Sequence, residues 1–210
     1  YVKGDKKKYE SDMLDRLNSG ELLHADSIHF PDSLKYTTKG GRIVYGGGGI
    51  MPDLYVPLDT TTYTNYHRQL AAKSCINQTA LKWLNDHRKQ LVKQYNINAY
   101  RKARARQQEG KDYDLADLRS GFELFKQEFT IPQDMIDLLL AKAKEAKIEA
   151  PDSIRQASMP LLKTQLKALI ARDLWDISNY FELVNPANEI YRQGLQALKD
   201  EKLFENIQIK

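Results

Sequence analysis

The chain has 210 residues, 41% of them hydrophobic and 29% charged, with a formal net charge of +4 at pH 7. That length suffices for one or two domains with real cores, and so small a charge does not by itself imply nucleic acid or a membrane surface. No apolar run approaches the ~20 residues of a membrane span, no signal peptide is visible, and Cys75, standing alone, excludes an internal disulfide.

Residues 8 to 18 place Tyr9, Met13, Leu14 and Leu17 at helical spacing and stop at Asn18-Ser19-Gly20, which predicts a short helix. Extended runs follow at 34–39, 42–45 and 54–57. Tyr36, Thr37, Thr38, Ile43, Val44 and Tyr45 are β-branched or aromatic, types that fit a pleated, half-buried surface. Lys39-Gly40-Gly41 between them can supply the positive φ angles of a hairpin turn. Gly46 to Gly49 lack a Cβ, so the backbone there can bend sharply or press against another segment; by itself such a run also reads as a flexible linker. Pro52 fixes φ and pushes Met51 out of the helical region, and Leu54-Tyr55-Val56 restarts an extended run. A strand set this small cannot bury both faces alone, so it is expected to belong to a larger sheet.

Beyond Thr62 the period becomes helical almost throughout. Ala80, Leu84, Leu91 and Tyr95 mark one face of a long helix, and residues 98–111 read as a weak basic helix plus loop. Leu115, Leu118, Phe122, Phe125 and Phe129 form the next stripe. Thr130-Ile131-Pro132-Gln133 has the form of a capping box with proline in the first turn of a helix through Ile136, Leu139, Leu140 and Ala143. Pro151-Asp152 opens a further helix, Pro160 lies in its first part, and Leu162, Leu166, Leu169, Ile170, Leu174 and Ile177 continue its stripe. Asn185-Pro186 reads as the cap and first turn of a last helix carrying Ile190, Leu195 and Leu198. Residues 63–200 therefore predict an all-helical unit of about five or six helices. The fold class expected is α+β, mainly α with a small β portion.

The segment Lys35, Tyr36, Thr38, Gly41, Arg42, Tyr45, Gly46 to Gly49, Ile50, Pro52 and Asp53 forms one ungapped run. It resembles the closing segment of the protease domain in the carboxy-terminal processing (tail-specific) serine proteases. Tyr9, Arg16, Gly20 and Glu21 are similar to the helix-bearing insertion before that strand in the longer members, and residues 166–175 to their helical tail. The resemblance implies that residues 1–61 end a protease domain, their strands completing its sheet, and that 62–210 form a helical carboxy-terminal domain. It also implies a periplasmic or envelope address and protein or peptide substrates. The family cuts with a serine in a small-residue turn and a lysine base roughly two dozen residues later, and captures substrate tails with a PDZ module. None of the nine serines lies in such a turn, and neither Ser-x-x-Lys nor Gly-x-Ser-x-Gly occurs. The chain is thus expected to be a non-catalytic portion of such a protease, lacking the dyad and the PDZ module.

The remaining constellations are weaker. His24, His29, His67 and His87 stand at no metal-ligand spacing, so no metal site is expected. The glycines lack a following Gly-Lys-Ser/Thr and the third glycine of a dinucleotide fingerprint, so no cofactor is expected. Cys75 reads as a small core residue rather than a nucleophile. Arg101, Lys102, Arg104 and Arg106 read as a solvated helix face, with nucleic-acid contact the sharper and less favoured reading. Phe122, Phe125 and Phe129 read as core. No catalytic residue is assigned. The rival to the protease reading is an independent helical docking domain for a protein adaptor.

Overall fold

The computed structural model describes residues 62–200 continuously, together with 35–39, 43–46, 54–57 and the isolated positions Ser11, Gly20, Ser33, Gly41 and Lys202. The expected helix over 8–18, Gly47 to Gly49 and the Ile50-to-Asp53 step lie outside the described residues. Contacts group the chain into Thr61–Ala187 and a second unit of Tyr1–Thr60 with Asn188–Lys210.

In the second unit, β1 (Lys35–Thr37) pairs antiparallel with β2 (Ile43–Tyr45), with Lys35 opposite Tyr45, Tyr36 opposite Val44 and Thr37 opposite Ile43. The turn closes where the Gly41 N–H donates to the Thr38 carbonyl at 2.9 Å. Gly41 has φ +79°, which only a residue without Cβ adopts cheaply, so the turn chemistry read from the sequence is realised there. The expected third strand is not formed: residues 54–57 join no ladder among the described residues. A run of suitable residues becomes a strand only when a neighbour takes up its backbone groups.

The helical unit begins at α1 (Asn65–Ala72), whose N-cap Thr64 accepts the His67 N–H. α2 (Cys75–Gln94) buries Ile76, Thr79, Ala80, Trp83, Leu84 and Leu91 along one stripe. α3 (Ile97–Gln108) buries Ile97, Tyr100 and Ala103. α4 (Leu115–Glu128) starts at Asp114, whose side chain accepts the Ala116 N–H at 2.8 Å. α5 (Gln133–Glu145), α6 (Asp152–Leu174) and α7 (Ile177–Val184) follow, and Asn185–Ala187 is a single 3-10 turn. α8 (Glu189–Ala197) belongs to the other unit and buries no residue among those described. The architecture is mainly helical, with eight α-helices and one two-stranded antiparallel sheet among the described residues.

Three expected boundaries move. The box at Thr130 does not form, because Pro132, not Thr130, occupies the cap and offers no side-chain acceptor. The stripe through Ile177 is two helices: α6 ends at Leu174, and Asp176 caps α7 by accepting the Ser178 N–H at 2.7 Å and its hydroxyl at 2.6 Å. Asn185-Pro186 sits in the 3-10 turn, while Asn188 caps α8 by accepting the Tyr191 N–H. The last two shifts follow which side chain reaches an orphan amide, Asp176 and Asn188.

α2 packs on α1, α3, α5 and α6; α6 packs on α1, α2 and α7; α4 packs on α3. Their inner faces form one cluster that includes Leu70, Leu84, Phe122, Phe125, Leu139, Leu162, Leu166, Ile170 and Trp175. The Leu stripe and the Phe face read from the sequence both lie in it. Phe125 lies at its aromatic centre, with ring centroids 4.6 Å from Phe129, 5.2 Å from Tyr95 and 5.2 Å from Trp175. Pro160 is tolerated in α6 because residues 151–157 are exposed, so water can serve the Gln156 carbonyl that loses its N–H partner. Charges tie α7 to α4: Glu182 accepts from Arg119 at 3.0 Å and from Lys126 at 2.8 Å.

The helix joins are tight. Ser74, Asn96 and Lys147 have φ of 58°, 48° and 55°, and Gly110 has φ +67°. After α3 the Lys111 N–H donates to the Arg106 carbonyl and the Gly110 N–H to that of Gln107. After α5 the Ile148 N–H donates to Ala143 and the Lys147 N–H to Lys144. Both ends are Schellman motifs, one built on glycine and one on lysine.

Candidate functional site

The residues weighed for chemistry divide between core and surface. Cys75 is buried, with its sulfur 3.9 Å from the carbonyls of Lys73 and Lys142, the core role read from the sequence. His67 is buried, and its Nε2 donates to Gln165 Oε1 at 2.8 Å. Burial pushes the imidazole pKa down, the hydrogen bond to Gln165 partly opposes it, and the Arg68 charge adds a weaker downward push. Its Nδ1 has no partner among the described residues. His87 stacks on Trp83 at 4.1 Å, and its Nδ1 donates to the Trp83 carbonyl. His24 and His29 lie outside the described residues. No group of three His, Cys, Asp or Glu among the described residues could hold a metal ion.

Ser158 is the one buried serine among the described residues. Its hydroxyl donates to the Ile154 carbonyl at 2.7 Å, and Thr64 Oγ1, which accepts the His67 N–H, lies 2.6 Å from it. The hydroxyl is spent joining α1 to α6, and neither a lysine nor an imidazole nitrogen bonds to it. That arrangement is structural rather than nucleophilic.

One concave feature collects polar groups. A cavity of about 310 Å³ lies between α3 and the α6–α7 junction, lined by Tyr100, Arg101, Arg104, Gln108, Trp175 and Asp176 among others. Positions 101, 104 and 108 share one helical face, which aims two guanidinium groups and an amide at the same space. Arg104 donates to Gln107 Oε1 and lies 3.4 Å from Asp176 Oδ2, an ion pair on a helix face that Arg101, Lys102 and Arg106 leave exposed. Arg101 is exposed and makes no ion pair among the described residues. Bonds from the Ser178 hydroxyl and backbone, then the Arg104 charge, hold the Asp176 carboxyl below its ordinary range. Burial and then the Asp176 charge raise the Tyr100 hydroxyl, which stays protonated. Trp175 is 9% exposed, and its buried indole N–H has no acceptor among the described residues. The set can bind and orient; it pairs no nucleophile with a base.

Sequence reasoning did not find this cavity. The signal available was Tyr100-Arg101 with Arg104 and Gln108 on one face, but the opposing wall, Trp175-Asp176, is remote in sequence.

A protein family described as a family of unknown function (DUF8443) matches residues 111–176, a span from the loop after α3 through the α7 cap. It takes in α4, α5 and α6 and two of the cavity residues, Trp175 and Asp176. No curated protein matches the chain. No solved structure matches it either.

Proposed function

We propose that this chain is the carboxy-terminal portion of a serine endopeptidase that processes or degrades proteins from their carboxy-terminal region. It supplies closing strands to the protease sheet and a helical domain, and is itself non-catalytic. The observation that carries the reading is the ungapped run from Lys35 to Asp53. The local geometry supports it. β1 and β2 form a paired ribbon turning at Gly41, and Tyr36, Ile43 and Val44 on it are 56%, 49% and 37% exposed. Three-residue strands with their apolar side chains open require further strands to bury them. No helix among the described residues is long and apolar enough to cross a membrane. A periplasmic or envelope address is part of the same proposal.

The test is at the level of the gene. The residues encoded before Tyr1 should contain a serine in a small-residue turn and a lysine about two dozen positions later. The whole product should cleave tail-tagged substrate, and a serine-to-alanine change there should abolish cleavage. An upstream region without that pair, or a whole product without peptidase activity, overturns the reading.

A second reading, an adaptor-docking helical domain, is favoured by one observation. Ile177 and Phe181 lie one turn apart on α7 and are 54% and 50% exposed. Loss of a co-purifying protein on Phe181→Ser, with peptidase activity absent from the whole product, would select it.

A further inference from the structure

We propose that the cavity between α3 and the α6–α7 junction is a binding site for a carboxylate attached to an apolar or aromatic group. The inference stands on the helical unit alone and does not depend on the protease reading. Its volume, about 310 Å³, is at the small end of ligand-sized pockets, which run from about 300 to 1,000 Å³. Its charges are two guanidinium groups and one carboxylate, a net excess of one positive charge that fits a monoanion. Asp176 consumes one guanidinium by pairing with Arg104 and is itself held ionised by Ser178. Arg101 is left with its planar fork of donors and no anionic partner among the described residues, the geometry that takes a carboxylate through two parallel hydrogen bonds.

The walls supply the apolar half. Trp175 packs its ring against Phe122 and Phe125 at 5.6 and 5.2 Å, which fixes the indole as a rigid wall. Ala105 and Tyr100 also line the cavity. Arg101, without an anionic partner among the described residues, calls for an acceptor bearing negative charge at this concave face. A lone arginine on a solvated face would have neither the concavity nor the aromatic wall. A nucleic-acid surface would instead show a broad basic face without an acid at its centre, whereas Asp176 stands inside this one.

The indole N–H resonances of the full chain test the site directly, because Trp83 provides an internal reference: it is tied to Asp134 at 2.9 Å. N-acetyl-L-phenylalanine should shift the Trp175 resonance saturably and leave that of Trp83 in place. The neutral amide of the same compound should bind about tenfold more weakly, as should the acid to Arg101→Gln, each removing one charge-assisted contact. Gln108→Glu should weaken the acid in the same direction while leaving the Trp83 resonance, and so the fold, unchanged. A short peptide ending in a free phenylalanine carboxylate distinguishes sources: tighter binding than the single residue assigns a chain end, equal binding a free small acid. Either keeps the proposal. No shift at Trp175, an equal response to the amide, unchanged affinity in Arg101→Gln, or an equally strong response to inorganic phosphate overturns it.

Discussion

Gly121 on α4 lies directly against the carbonyl of Tyr95 at the end of α2. A β-carbon built on it would overlap the Tyr95 oxygen and stand 3.2 Å from the carbonyl carbon and 3.8 Å from Trp175 Cζ2. The atom in the way is backbone, which cannot rotate aside. Gly121→Ala should therefore destabilise the helical unit by about 3 kcal/mol despite alanine's better helix propensity. Gly194→Ala on α8, where nothing lies within 4 Å, should instead be neutral or stabilise slightly. Urea unfolding of the two variants measures both, and equal effects would show that the α2–α4 approach is looser than described.

Leu166 is fully buried in the central cluster, whereas Leu115, the first residue of α4, is 68% exposed. Leu166→Ala should cost about 2 to 5 kcal/mol and Leu115→Ala within about 0.5 kcal/mol. Thermal or urea unfolding of each variant gives the difference. A non-cooperative transition of residues 62–187 expressed alone would instead make the helices dependent on the rest of the protein.

His67 predicts a dependence on pH. Its folded pKa is lowered by burial, so the unfolded chain takes up the proton first as the pH falls. Stability from this group is fully present above the unfolded value of about 6.5 and is lost from there downward until the folded pKa is passed. His67→Gln should flatten the stability profile between about pH 6.5 and 5.5, a window above most carboxylate titrations. An unchanged slope in that window would move the titration to another group.

Lys147 and Gly110 occupy the same position in two Schellman motifs. A lysine with φ 55° bears the left-handed strain that glycine avoids, so Lys147→Gly should stabilise by about 0.5 to 1 kcal/mol. Gly110→Ala should destabilise by about 1 kcal/mol, since φ +67° stays strained although nothing lies within 4 Å of its added methyl. Paired denaturation curves should move in opposite directions.

The contrast between what could and could not be read in advance is physical. Leu162, Leu166, Leu169 and Ile170 were visible as a stripe because burial of one helix face repeats every 3.6 residues. The break at Trp175 was missed because Ile177 happens to continue that stripe, and only the Asp176–Ser178 cap interrupts it. Thr130 and Asn185 carry cap chemistry, but Pro132 and Asn188 hold the cap positions, so local preference yielded to where the helices pack. Gly41 was legible because its turn is local. The Arg101–Trp175 cavity was not, since no spacing rule links two walls contributed by distant helices.

The hydroxyl relay from Thr64 to Ser158 and the bond from His67 to Gln165 join residues 94 and 98 positions apart. A ribosome adding about 5 to 20 residues each second makes α1 many seconds before it makes α6. Through that interval α1 lacks the part of its packing that α6 supplies, and stays open to chaperones on that side. The helical unit therefore closes late in translation. A transcript truncated within α6 would release a product destined for proteolysis rather than a smaller working domain.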